Sequence, residues 1–234
     1  MIALERLKNL DREARLVARI ASALGWDQET YMPPAAIEER GDQLAFLETL
    51  AHAKRSSPEI GELLDKLGST PGNPGGDDTL PEMDRAYLRV MRRAYDQATR
   101  LPSELVSELA KATSLSQAAW AKARAQNDYA SFAPFLDTML GLTRSVASCL
   151  DHTRKPYDVL LDRYEEGASY ESVNAVFTPL KAELGVLMDK IASRPQVDDA
   201  VLHRQCPEAA QARASGHIMD ILSYDRDQIG RAHV

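Results

Sequence analysis

Cysteine is scarce in this chain: Cys149 and Cys206 are the only two, widely spaced and outside any CxxC. That argues against a disulfide framework and makes a reducing compartment the simplest expectation. Long apolar runs are missing too; none approaches the ~20 residues needed to cross a bilayer. The opening stretch MIALERLKNLDREARLV is charged throughout and lacks the apolar segment of a secretory signal. Together these absences predict a soluble, cytoplasmic protein with no membrane association. Positive charge is the minority: 28 Lys and Arg against 35 Asp and Glu give a net charge of -7 and a pI near 5.3. An acidic balance of this kind argues against nucleic acid or an anionic membrane as the main partner. Hydrophobic residues still make up 44% of the chain, enough for a sizeable core and too many for default disorder.

The common catalytic signatures are absent as well. There is no GxSxG, no P-loop and no GxGxxG; Gly75-Gly76 lacks the Lys-Ser/Thr that a phosphate loop requires. None of the five histidines (His52, His152, His203, His217, His233) belongs to an HExxH pair, and none follows a Glu at the ExxH spacing of helical di-iron bundles. His217 and Asp220, three apart on one expected helix, with His233 beyond, form a weak alternative metal pair; two solvated polar residues near a helix end is the simpler reading. Cys149 lies close to Asp151 and His152 in sequence, but that spacing alone makes no nucleophile-base pair, and an inert helix cysteine is favoured.

Alternation of β-branched residues is nearly missing, whereas three-to-four spacing of apolar residues is pervasive. Leu4, Leu7, Leu10, Ala14, Val17, Ile20, Ala21 and Leu24 define one face of a first helix, with Gly25 expected to end it. A second helix is expected from Pro34 to about Lys54, directing Ile37, Leu44, Phe46, Leu47 and Leu50 inward. Ser57 is expected to cap a short helix over 58–67. The Gly- and Pro-rich stretch 68–80 reads as a flexible surface loop, though not as a domain boundary. Further helices are expected at about 82–100, 103–127 (capped by Ser103), 131–153, 170–193 and 207–223, with a less regular segment over 155–168. The fold class is all-α, with long helices packed on one another and residues 1–234 forming a single helical region.

One connection is composed differently. GWDQETYMPPAAIEER, Gly25 to Arg40, packs Trp26, Tyr31 and Met32 among polar residues and halts on Pro33-Pro34. On physical grounds alone, Trp26 plugs a gap between helices while Asp27 caps a backbone turn or pairs with Arg40. The alternative is a cleft lining that offers Asp27, Tyr31 and Arg40 to a ligand.

Three stretches then point to a family. Trp26, Asp27, Thr30, Met32, Pro33 and Arg40 resemble the N-terminal signature of the carboxypeptidase Taq family, the M32 zinc metallocarboxypeptidases. LPSELVSELAKATSLSQAAWAKARAQNDYASFAPFLDTML (101–140) resembles its central helical pair, and KPYDVLLDRYEEGASYESVNAVFTPLKAEL (155–184) its Pro-Tyr-Asp run. The resemblance implies the N-terminal part of a helical zincin (neurolysin/ACE-like) fold and, for the parent, removal of C-terminal residues from peptide substrates by water activated on zinc or another divalent metal. It also implies homodimerisation. The family's HExxH, downstream Glu ligand and carboxylate-binding arginine follow an HPF motif, and DRDQIGRAHV resembles the segment just ahead of it. This half is therefore expected to lack the catalytic and metal residues, to bind no cofactor, to be inactive alone and to need the missing C-terminal half. Its helices are expected to expose apolar faces, with oligomerisation or partial disorder as a result. The alternative is a free-standing helical interaction protein that has lost catalysis.

Overall fold

The computed structural model describes residues 2–195 and 197–225. Nine α-helices are described: α1 (Ile2–Thr30), α2 (Ile37–Arg55), α3 (Pro58–Lys66), α4 (Glu82–Arg100), α5 (Ser103–Gln126), α6 (Tyr129–Asp151), α7 (Pro156–Leu161), α8 (Tyr170–Ala192) and α9 (Glu208–Ile221). Among the described residues no strand forms; an isolated bridge pairs Thr70 with Asn73. The chain divides into two compact units, residues 1–174 and 175–234.

In the first unit, α1 packs on α2, α2 on α5 and α5 on α6. One apolar cluster joins Leu4 and Leu7 of α1 to Ile60, Leu63 and Leu64 of α3 and Leu88 and Met91 of α4. A second joins Val146, Ala147 and Leu150 of α6 to Val159 of α7, with Leu101, Leu105 and Leu109 packed against it. Arg93 crosses from α4 to donate to both the carbonyl (2.7 Å) and the carboxylate (2.8 Å) of Asp162.

Several local expectations need correction. Gly25 does not end α1, which continues to Thr30. A mid-helix glycine costs only about 1 kcal/mol relative to alanine. The true stop is Pro33-Pro34, since a residue preceding proline is pushed out of the helical region; Pro33 itself has ψ 137°. The buried stripe of α2 is Gly41, Ala45, Ala51 and His52, whereas Phe46 is 68% exposed. Small side chains there let α5 approach closely: a Cβ on Gly41 would meet Lys111 Cγ at 3.5 Å. Ser57 occupies the cap position of α3 without a side-chain bond, and Ser103 is the first helical residue of α5, preceded by Pro102. Side-chain caps do form at Asp128, which accepts from the Ser131 amide at 3.3 Å to start α6, and at Ser169, which accepts from the Ser172 amide at 3.1 Å to start α8. Asn127, at φ 53°, closes α5 just before Asp128.

The glycine-rich connection between α3 and α4 is tied at several points. Ser69, fully buried, donates its hydroxyl to the Pro74 carbonyl at 2.8 Å. Asn73 Nδ2 donates to the Gly76 carbonyl at 2.9 Å, and the buried Arg92 donates to the Ser69 carbonyl and to Asp65 (2.5 Å). Gly76 has φ 75°, and a Cβ there would sit 2.5 Å from the Leu67 carbonyl oxygen. Only glycine meets both conditions without strain.

The second unit holds most of α8, a 3-10 turn over Ala200–His203 and α9. No residue of α8 is buried, and Gly216 is the buried residue of α9. No described helix is long and apolar enough to cross a membrane.

Candidate functional site

The corner between α1 and α2 is built around one ion pair. Arg40, on the first turn of α2, reaches back to α1 one turn before its last. Its guanidinium donates to the Leu24 carbonyl, to Asp27 Oδ2 at 2.6 Å and to Gln43 Oε1 at 3.0 Å. The Arg40 side chain is 11% exposed and that of Asp27 38%. The Asp27 carbonyl accepts from both Tyr31 (3.0 Å) and Met32 (2.9 Å) amides, and Thr30 Oγ1 donates to the Trp26 carbonyl at 2.8 Å. Tyr31 meets Trp26 edge-on with ring centroids 5.3 Å apart, yet it remains 75% exposed. The pairing of Asp27 with Arg40 expected from the sequence is thus present, and the three groove candidates Asp27, Tyr31 and Arg40 share this corner.

Beside the corner lies a cavity of about 690 Å³ between α1, α2, α4, α5 and α6. Its walls include Gln28, Leu44, His52, Leu105, Leu109 and Val146; Asp27, Tyr31 and Arg40 do not line it. A polar seam runs along one wall: Ser114 Oγ donates to Gln28 Oε1 at 2.6 Å, and Gln28 Nε2 donates to Gln117 Oε1 at 3.4 Å. Sequence reasoning passed over these residues. The available signal was Gln28 one turn from Gly25, and Ser114 and Gln117 one turn apart on α5, both at helical spacing. Glu48 and His52, four apart on α2, also face this space.

The other sequence candidates lie near the end of α6 and on or near α9. His217 and Asp220 are both exposed on α9. Among the described residues no group of three or more His, Cys, Asp or Glu forms a metal-holding cluster. His233 and the stretch 226–234 lie outside the described residues. Cys149 is a free, half-buried thiol and Cys206 an exposed one. The Asp151 carboxylate is committed to Thr153, accepting from its hydroxyl at 2.6 Å and its amide at 2.9 Å. These bonds hold its pKa below the usual value, so it is not poised as a base for its neighbours.

Residues 6–234 match the family model of carboxypeptidase Taq (M32) metallopeptidases. Thermostable carboxypeptidase 1 of Thermus thermophilus is 33% identical over 233 residues, covering 95% of this chain and 45% of the relative. Thermostable carboxypeptidase 1 of Pyrococcus furiosus is 35% identical over 181 residues, 77% of this chain and 35% of the relative. The crystal structure of an M32 carboxypeptidase from Deinococcus radiodurans superimposes with a TM-score of 0.73 at 31% identity, covering 96% of this chain and 44% of that one. The chain therefore matches between 35% and 45% of the length of these relatives, as an N-terminal half does, and its all-helical architecture is of the helical zincin type.

Proposed function

The chain belongs to the carboxypeptidase Taq (M32) metallopeptidase family, and on that premise we propose that it is the N-terminal scaffold and groove-wall portion of a metal-dependent carboxypeptidase. The whole protein would remove C-terminal residues from peptides, with zinc as the metal, in the cytoplasm and as a homodimer. Bound zinc would supply an activated water for attack on the last peptide carbonyl. The residues of this chain do not fit the metal: the sequence contains no HExxH, and no ligand cluster forms among the described residues. The observation that carries the proposal is the pairing of a family match across residues 6–234 with coverage of only 45% of the Thermus relative.

In this reading the α1–α2 corner is structural. Arg40 spends its donors on the Leu24 carbonyl, Asp27 and Gln43, which leaves Tyr31, three-quarters exposed, as the corner residue best able to touch a peptide. Metal content tests the assignment. After dialysis against zinc and then buffer, residues 1–234 should retain no stoichiometric metal, while the same chain combined with the second half of the Thermus relative should retain about one ion per complex. One tightly held zinc per chain in the isolated protein would overturn it, and His217 and Asp220 would then be the first ligands to substitute.

A further inference from the structure

Glu48, His52 and Arg55 stand at i, i+4 and i+7 of α2, a spacing that sets all three on one helix face. All three line the cavity of about 690 Å³ described above, a volume within the range of small-molecule sites. Side chains one turn apart can satisfy each other, yet these do not. Among the described residues, none of the three side chains has a hydrogen-bond or ion-pair partner. His52 is moreover only 7% exposed. A buried polar ring without a partner forfeits its hydration, and native folds rarely leave one idle. Arg163, on the turn after α7, lines the same cavity and is likewise unpartnered among the described residues. Arg93 ties that turn to α4 through Asp162. The seam of Gln28, Ser114 and Gln117 is satisfied internally, so the groups left to a ligand are chiefly these four. Leu101, Leu105, Leu109, Val146 and Leu150 supply an apolar wall.

We propose that this cavity binds a free α-amino acid with an apolar side chain. Glu48 and Arg55 lie two helical turns apart, about 10 Å between Cα atoms, and do not pair with each other. A zwitterion bridges them: its ammonium meets Glu48, and its carboxylate meets the guanidinium groups of Arg55 and Arg163 in charge-assisted hydrogen bonds. His52, about one turn from each, offers its ring to the same polar head, and the leucine-rich wall takes the side chain. Simpler ligands leave charges stranded. A fatty carboxylate would bring a second anion to Glu48, an amine would leave both guanidinium groups unpaired, and a phosphate would be repelled by Glu48. Such an amino acid is also what the proposed carboxypeptidase would release. The cavity's own groups select it without that reading, so a failure to bind leaves the activity untouched.

The test titrates L-leucine into residues 1–234 and reads the heat of binding. Saturable one-to-one binding is expected. L-leucinamide, which lacks the carboxylate, and 4-methylpentanoate, which lacks the ammonium, should each bind at least 10-fold more weakly. Glu48→Gln and Arg55→Gln should each weaken leucine at least 10-fold while leaving the helical circular dichroism unchanged. Lys54→Gln, on the same helix but paired with Glu13 outside the cavity, should bind leucine as the parent chain does. Four results would overturn the proposal. Leucine without saturable binding removes the site. Leucinamide or 4-methylpentanoate matching leucine shows that one charge suffices. Binding insensitive to both Glu48→Gln and Arg55→Gln places the amino acid elsewhere. Equal weakening by Lys54→Gln shows that the stability of α2, and not contact with the ligand, is being read.

Discussion

Replacing Asp27 by Asn keeps the shape of the side chain and removes its charge, so it isolates the electrostatic part of the α1–α2 corner. Breaking a fully buried ion pair costs about 3–5 kcal/mol, and an exposed one at most about 1. Here Arg40 is 11% exposed and Asp27 38%, so solvent screens one partner and the cost should fall between these limits. The asparagine oxygen still accepts from Arg40, and Leu24 and Gln43 continue to accept from the same guanidinium. That places Asp27→Asn at about 1–2 kcal/mol, or roughly 2–8 °C in Tm for a chain of this size. Arg40→Ala also removes the donor to the Leu24 carbonyl and should cost about 2–3 kcal/mol. Urea melts of both variants and of the Asp27→Ala/Arg40→Ala double variant give the coupling directly. In the complete enzyme, Asp27→Asn should lower stability and leave turnover nearly unchanged. An unaltered melt with a collapsed turnover rate would refute the structural role and make Asp27 a substrate contact.

Two further substitutions probe the first unit. Gly76→Ala forces a side chain into a φ of 75° and against the Leu67 carbonyl; a loss of about 2–3 kcal/mol in a urea melt is expected, and a neutral result would mean the connection relaxes freely. Burial pulls the Asp162 pKa up, but the Gly167 amide and Arg93 outweigh it and hold the group below the ordinary value of 3.8. The folded pKa is the lower one, so the stabilisation is present above about pH 4 and disappears as the pH falls through the folded pKa. Asp162→Asn should cost about 1–2 kcal/mol at neutral pH, and the cost should shrink as the pH falls below the ordinary carboxylate range; an equal cost at neutral and acid pH would argue that the charge is irrelevant.

The helices were legible because their apolar spacing and proline stops are local signals. Proline ahead of Glu82, Ser103 and Glu208 marks three helix starts in the sequence itself. Gly25 misled because a glycine can sit within a helix when stronger breakers follow, and Pro33-Pro34 do follow. The inward face of α2 was misread for a different reason. Hydrophobicity favours Phe46, but close approach of α5 selects Gly41 and Ala45, and that preference depends on a partner helix distant in sequence, whose Lys111 faces Gly41. The Asp27–Arg40 pair was readable, since both groups flank one short connection. The seam of Gln28, Ser114 and Gln117 was not, because it joins residues 86 and 89 positions apart through side chains that look like ordinary solvated ones.

The central claim is that residues 1–234 carry wall and scaffold while the chemistry is supplied by the rest of the family's length. Release of the C-terminal amino acid from a short peptide, with its amidated form as control, tests it most directly. Zinc-supplemented residues 1–234 should release nothing. The same chain combined with the second half of the Thermus relative should cleave the free-carboxylate peptide in a chelator-sensitive way and spare the amide. Turnover by residues 1–234 alone, or none from the assembled complex, would contradict the account.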